Sequence, residues 1–181
     1  MRPSKATLIT HPIRARILTA LMGRRLTTQQ IGDLLTDVPT PSLYRHVRIL
    51  ADAGIVAPVE EVRVNGALTK VFAVQPGQTR IRPEDVPEAT GADHLRYFTT
   101  FQSTLAETFR AYLERAPLDP TNDPIECLAE ALHLTPAEYE EFQRGLQAFL
   151  KSWRERAPSE ARRRLVFAHV ILPDRPDPPR S

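Results

Sequence analysis

The segment Thr40-Pro-Ser-Leu-Tyr-Arg-His-Val-Arg-Ile-Leu-Ala-Asp-Ala-Gly54-Ile-Val constrains the fold more than any other, because it marks both ends of one helix. Thr40 is the expected N-cap, and Pro41 suits the first helical position. Gly54 suits the left-handed residue that ends a helix. Between them Leu43, Val47 and Leu50 share one face, at i, i+4 and i+7. Arg45 and Arg48 fall on the opposite face, flanked by Ser42 and Tyr44. An apolar back and an Arg, Tyr and Ser front fit a helix that enters the major groove of DNA. An amphipathic helix with a solvated basic face has the same pattern, so the neighbouring elements decide between the two readings.

Upstream, Thr28-Gln-Gln-Ile-Gly-Asp-Leu-Leu35 reads as a short helix capped by Thr28 or Thr27, with Ile31, Leu34 and Leu35 on its buried side. Only Thr36-Asp-Val-Pro-Thr40 separates it from the next helix, which predicts the steep crossing of a helix-turn-helix. Further upstream, His11 to Met22 predicts a third helix with Pro12 near its start and Ile13, Ile17, Leu18 and Leu21 pointing inward. Downstream, residues 55–64 and 67–74 are rich in β-branched and aromatic residues and are joined by Asn65-Gly66, the strongest two-residue hairpin signal. Pro58 cannot donate to a central ladder and belongs at an edge or bulge. Three helices and then a hairpin is the order of a winged helix-turn-helix, with the hairpin as the wing. Arg63, Asn65 and Lys70 near its tip are either contacts to phosphates or the minor groove, or solvated hairpin residues.

His11-Pro-Ile-Arg-Ala-Arg-Ile-Leu, Pro41-Ser-Leu-Tyr-Arg-His-Val, Leu50-Ala-Asp-Ala-Gly-Ile-Val and Val62-Arg-Val-Asn-Gly-Ala-Leu-Thr-Lys-Val-Phe together resemble the winged-helix domain of ArsR-like bacterial transcriptional regulators. The resemblance covers roughly residues 8–75. It implies a dimeric DNA-binding regulator, by analogy a repressor, whose reading positions fall at Thr40, Ser42, Tyr44, Arg45 and Arg48. It also implies that His46 is part-buried and structural. Metal-sensing members of the family carry paired cysteines near the reading helix or His/Asp clusters on a terminal helix. This chain has one cysteine, Cys127, outside that region, so no thiolate metal site is expected.

The net charge of +2 conceals a division. Residues 1–80 hold 11 Lys and Arg against 5 Asp and Glu, whereas residues 81–181 hold 13 against 17. The positive half is the half with the helix-turn-helix pattern, which is where a polyanion requires it. No apolar run approaches the roughly 20 residues of a membrane span, and the N-terminus lacks a signal peptide's apolar block. A single cysteine excludes an internal disulfide and suits a reducing cytoplasm.

The expected architecture is mainly α with small β elements (α+β). A winged helix-turn-helix spans 1–78 and a linker 79–91; a two-long-helix dimerisation or effector region with a short β pair fills 92–181. The first long helix is expected from Ala92 to Arg115, with Leu95, Phe98, Phe101, Leu105, Phe109 and Tyr112 along one side. Thr135-Pro-Ala-Glu138 is a capping box that opens the second, which should run to about Arg156. Tyr139, Phe142, Leu146, Phe149 and Trp153 recur in it at heptad spacing. Such aromatic stripes need partners: each other, a second subunit, or both. Phe98, Phe101, Phe109, Tyr112, Tyr139, Phe142, Phe149 and Trp153 are therefore interface residues, or the lining of a pocket for an apolar small-molecule effector. Residues 164–172 read as a strand that Pro173 ends, and residues 127–134 read as its partner strand, although Leu-Ala-Glu-Ala-Leu there favours helix. His133 and His169 would then face each other, but two histidines without a third ligand do not make a metal site, so no metal or cofactor is expected. Pro173 to Ser181 reads as a frayed tail.

The chain is thus expected to bind double-stranded DNA as a homodimer at a pseudo-palindromic operator. A winged-helix protein-interaction module and a nonspecific DNA binder are the alternatives. No glycine-rich phosphate loop, nucleophile elbow or metal-ligand cluster points to an enzyme.

Overall fold

The computed structural model describes residues 4–114, 117–119, 121–156 and 158–173. They fall into two compact units, Met1–Ala131 and Leu132–Ser181. In the first unit the order is α1 (Lys5–Ile9), α2 (Pro12–Leu21), β1 (Leu26–Thr27), α3 (Thr28–Leu34), α4 (Thr40–Asp52), β2 (Val56–Val64), β3 (Ala67–Val74), a 3-10 turn (Pro83–Asp85) and α5 (Gly91–Leu113). The second unit contains α6 (Pro136–Arg154). Mixed α and β structure with a winged helix at its head is as the sequence predicts.

The core lies where α2, α3 and α4 meet. Ile17, Leu21, Ile31, Leu43, Leu50, Ile55 and Val56 are fully buried there, and each such side chain contributes about 1.5–3 kcal/mol of burial free energy. Gly32 makes the crossing of α3 over α4 close: a Cβ built on it would lie 3.3 Å from Leu43 Cδ2. Thr27 caps α3 by accepting from Gln30 N–H, while the Gln30 side chain accepts from Thr27 N–H. That reciprocal pair satisfies two donors that a helix start leaves open. Arg14, buried in α2, holds α1 in place by donating from Nε to the Leu8 carbonyl (2.6 Å) and from Nη2 to the Thr7 carbonyl (3.0 Å).

β1, β3 and β2 form an antiparallel sheet in that order. Asn65 and Gly66 both take positive φ (50° and 85°), as a tight two-residue hairpin turn demands. The pairing of β2 with β3 slips between Pro58 and Glu60, so the proline sits at the irregularity. The connection after the hairpin lies against the domain: Val86 is buried, Ile81 packs on the core, and Lys5 pairs with Asp85 at 3.6 Å.

Three local expectations are corrected. The N-cap of α4 is Pro39 rather than Thr40, because the chain already turns helical at Thr40 and Pro41 falls one place further in. Leu34 is exposed rather than buried, since the buried side of α3 runs through Thr28 and Ile31 and continues at Leu35 just beyond the helix. Residues 127–134 and 164–172 form no strands. Both segments are exposed along their whole length, and among the described residues no strand pairs with either of them. His133 and His169 are consequently not brought together by a sheet. Among the described residues no three His, Cys, Asp or Glu converge as metal ligands, and no helix is long and apolar enough to cross a membrane. Arg115 and the expected tail after Pro173 lie outside the described residues.

The long helices start at capping boxes, Thr90 with Asp93 and Thr135 with Glu138. α5 packs against α2, and its half-buried positions include Tyr97, Thr100, Thr104 and Thr108. Each of these threonines donates its hydroxyl to the carbonyl four residues back, at 2.8–3.0 Å, which leaves its methyl for packing. The aromatic side of α5 is left outward. Phe101, Phe109 and Tyr112 are exposed and Phe98 is half-buried. In α6, Tyr139, Phe142, Phe149 and Trp153 are exposed, and Arg156 lies 3.9 Å over the Trp153 ring.

Candidate nucleic-acid interface

The geometry of α4 follows from its two faces. Leu43, Val47 and Leu50 anchor it in the core at 2% exposure or less. The opposite side therefore projects: Thr40, Tyr44, Arg45 and Arg48 are exposed, and Ser42 is half-buried. Tyr44 keeps 53% of its surface exposed. The Arg48 side chain is 82% exposed, and Asp52 is 3.7 Å from its Nε, a loose pair one helical turn away. Water screens such a pair, so it restrains Arg48 little.

On the wing, Arg63, Asn65 and Lys70 are exposed. Arg63 pairs in register with Leu68, and Glu61 with Lys70, which puts Arg63 and Lys70 on one face of the hairpin. Glu61 on that face offsets part of their charge.

His46 is buried at 3% exposure, on the core side of α4. Its ring lies 4.7 Å from that of His11, the N-cap residue of α2, and the two planes are inclined at 41°. The Nδ1 atoms of both rings are buried without a hydrogen-bond partner. Burial lowers the His46 pKa below its ordinary 6.5, and His11, Arg14 and Arg45 lower it further. Burial likewise lowers His11, with Arg14 and Arg45 adding to the effect. Both imidazoles are therefore held neutral beneath a basic surface.

The turn between α3 and α4 is fixed from below. Val38 is buried, and its N–H donates to the Leu35 carbonyl at 3.0 Å. Beside it, Asp37 accepts two hydrogen bonds from Arg16 of α2, at 2.7 and 2.6 Å. This pair was not legible in the sequence, because its members stand 21 residues apart. The Thr27–Gln30 capping box, by contrast, is readable from its spacing.

Two clefts lie beside α2 and α3. One, of about 400 Å³, lies between α3 and the hairpin and is walled by Arg25, Gln29, Asp33, Glu60 and Val62. The other, of about 130 Å³, lies between α2 and α5 beside Arg16, Thr100, Thr104 and Glu107. Neither is lined by the aromatic residues of α5 or α6.

Residues 9–59 match the family described as "Helix-turn-helix domain", which spans α2 to the start of β2. No curated protein matches the chain. Among solved structures, one described as "Possible transcriptional regulator for arsenical resistance" is similar at 15% identity, over 65% of this chain and 100% of that one, with a TM-score of 0.35. The adhesin competence repressor AdcR from Streptococcus pyogenes is similar at 12% identity, over 80% of each chain, with a TM-score of 0.32. Scores of that size do not assign a shared overall fold.

Proposed function

We propose that this chain is a sequence-specific DNA-binding transcriptional regulator that reads a pseudo-palindromic operator as a homodimer. The helix-turn-helix match over residues 9–59 supports the DNA-binding part. The observation that carries the reading is α4 itself: its apolar side is locked in the core while Tyr44, Arg45 and Arg48 project together into solvent. A helix so anchored presents its arginines with little freedom to retract, which suits hydrogen bonding to guanine edges and phosphates. Arg63, Asn65 and Lys70 serve as backbone contacts from the wing, and the exposed aromatic side of α5 is the surface that pairs two copies. Repression is inferred from the resemblance to ArsR-like regulators.

Titration of duplex DNA at several salt concentrations tests the proposal. Affinity should fall steeply and log-linearly with salt as counterions are retaken, and the Arg45→Ala, Arg48→Ala double variant should lose most of it. No measurable binding at any salt would instead favour a protein-interaction module, and affinity unchanged by the loss of both arginines would contradict the assignment of α4 as the DNA-contacting helix.

A further inference from the structure

Arg16 has one guanidinium and two separate attachments. Its Nη1 and Nη2 donate to the two oxygens of Asp37, at 2.7 and 2.6 Å, as a bidentate fork. Its Nε lies 3.4 Å from Glu107 Oε2 on α5. The side chain is only 26% exposed, whereas Asp37 and Glu107 are 64% and 51% exposed, so the cation is the fixed point and the carboxylates come to it. The fork holds Asp37 below the usual carboxylate range and raises the Arg16 pKa.

The placement of the three residues gives this arrangement a consequence. Asp37 lies in the turn between α3 and α4, two residues before Pro39, the N-cap of the reading helix. Glu107 lies on α5, the helix whose opposite side carries the exposed Phe101, Phe109 and Tyr112. The Glu107 charge at the Nε edge favours one orientation of the guanidinium, and that orientation affects how well both Nη atoms reach Asp37. A shift of α5 along α2 therefore changes the grip on the turn that aims Tyr44, Arg45 and Arg48.

We propose that Arg16 is a positioning residue for DNA reading, which transmits the placement of α5 to the reading helix through Glu107 on one side and Asp37 on the other. The inference rests on the DNA-binding function proposed above. It adds a defined route between the aromatic face of α5 and the DNA-facing side of α4.

The test is a double-mutant cycle read as DNA affinity, using the duplex that the wild-type protein enriches from a random pool. The variants are Arg16→Gln, Glu107→Gln and the two combined, each checked for a native melting transition. Arg16→Gln should weaken binding about tenfold, and Glu107→Gln about threefold, the size expected of partly exposed ion pairs. Glu107→Gln should have no further effect once Arg16 is gone. The slope of affinity against salt should not change, because no phosphate contact is lost. If Arg16→Gln does not fold, Glu107→Gln against Asp37→Asn gives the same cycle through two exposed residues. Additive effects, or unchanged affinity, would overturn the proposal. A slope reduced by about one in Arg16→Gln would also do so, by showing that Arg16 touches DNA directly. A wild-type protein that enriches no duplex would remove the DNA reading first, and this inference with it.

Discussion

Arg45 and Arg48 project from the same side of α4 but differ in what their removal should cost. Arg45→Ala should relax base preference at one operator position by about 1–3 kcal/mol if the contact is bidentate to guanine, measured by competition with single-base variants of the site. An arginine on phosphate would instead weaken all sequences alike and lower the salt slope by about one, the outcome expected for Arg48, whose side chain is 82% exposed. His11 and His46 make a second residue-scale prediction. Their folded pKa values lie below 6.5 because burial disfavours the charged ring. Below pH 6.5 the unfolded chain binds protons that the folded pair refuses, so stability should fall with acidification through that window and stay level above it. Denaturant midpoints measured from about pH 5 to pH 8 check this, and the slope should shrink in His46→Gln. A pH-independent midpoint would show that the rings are not held neutral. The alternation of Leu43, Val47 and Leu50 with Arg45 and Arg48 was legible in the sequence because helical periodicity is local. The tilted His11–His46 ring pair and the Arg16–Asp37 fork were not legible, because the fold alone brings residues from different helices together.

Caps, turns and close approaches decide the outcome at the scale of elements. Thr27 is buried and closes a capping box at the start of α3, so Thr27→Ala should cost about 1 kcal/mol of unfolding free energy, read from a denaturant titration. Gly54 takes φ +69°, immediately after α4. Gly54→Ala should destabilise by about 1 kcal/mol or more, because a Cβ strains that backbone even where the space is open. Elements with explicit end signals were readable: α2, α3, α4, the Asn65-Gly66 hairpin and the capping-box start of α6. β1 was not, since two residues, Leu26 and Thr27, carry no strand pattern and pair only because β3 offers an edge. The expected strands at 127–134 and 164–172 failed for the converse reason: local β propensity without a neighbouring edge does not make a ladder.

The distribution of charge and of uncovered apolar surface governs the whole molecule. The positive surplus of residues 1–80 coincides with the domain that contains α4 and the wing, whereas the acidic remainder includes both long helices. Composition alone showed that division. It did not show which side of α5 is covered within the chain: the threonine side packs on α2 and the aromatic side is left out. If that side pairs two copies, Phe101→Glu combined with Phe109→Glu should convert a dimer to monomers in sedimentation equilibrium. The same change should reduce binding of a two-half-site duplex to that of a single half-site. A two-fold dimer sets two copies of α4 about one helical turn of DNA apart. Selection from random-sequence duplexes at near-physiological salt, followed by sequencing, tests the central claim most directly. An inverted repeat with half-site centres about 10 base pairs or a multiple apart should be enriched, and the Arg45→Ala, Arg48→Ala double variant should abolish that enrichment. Enrichment of no sequence, or of one that survives the loss of both arginines, would contradict that claim.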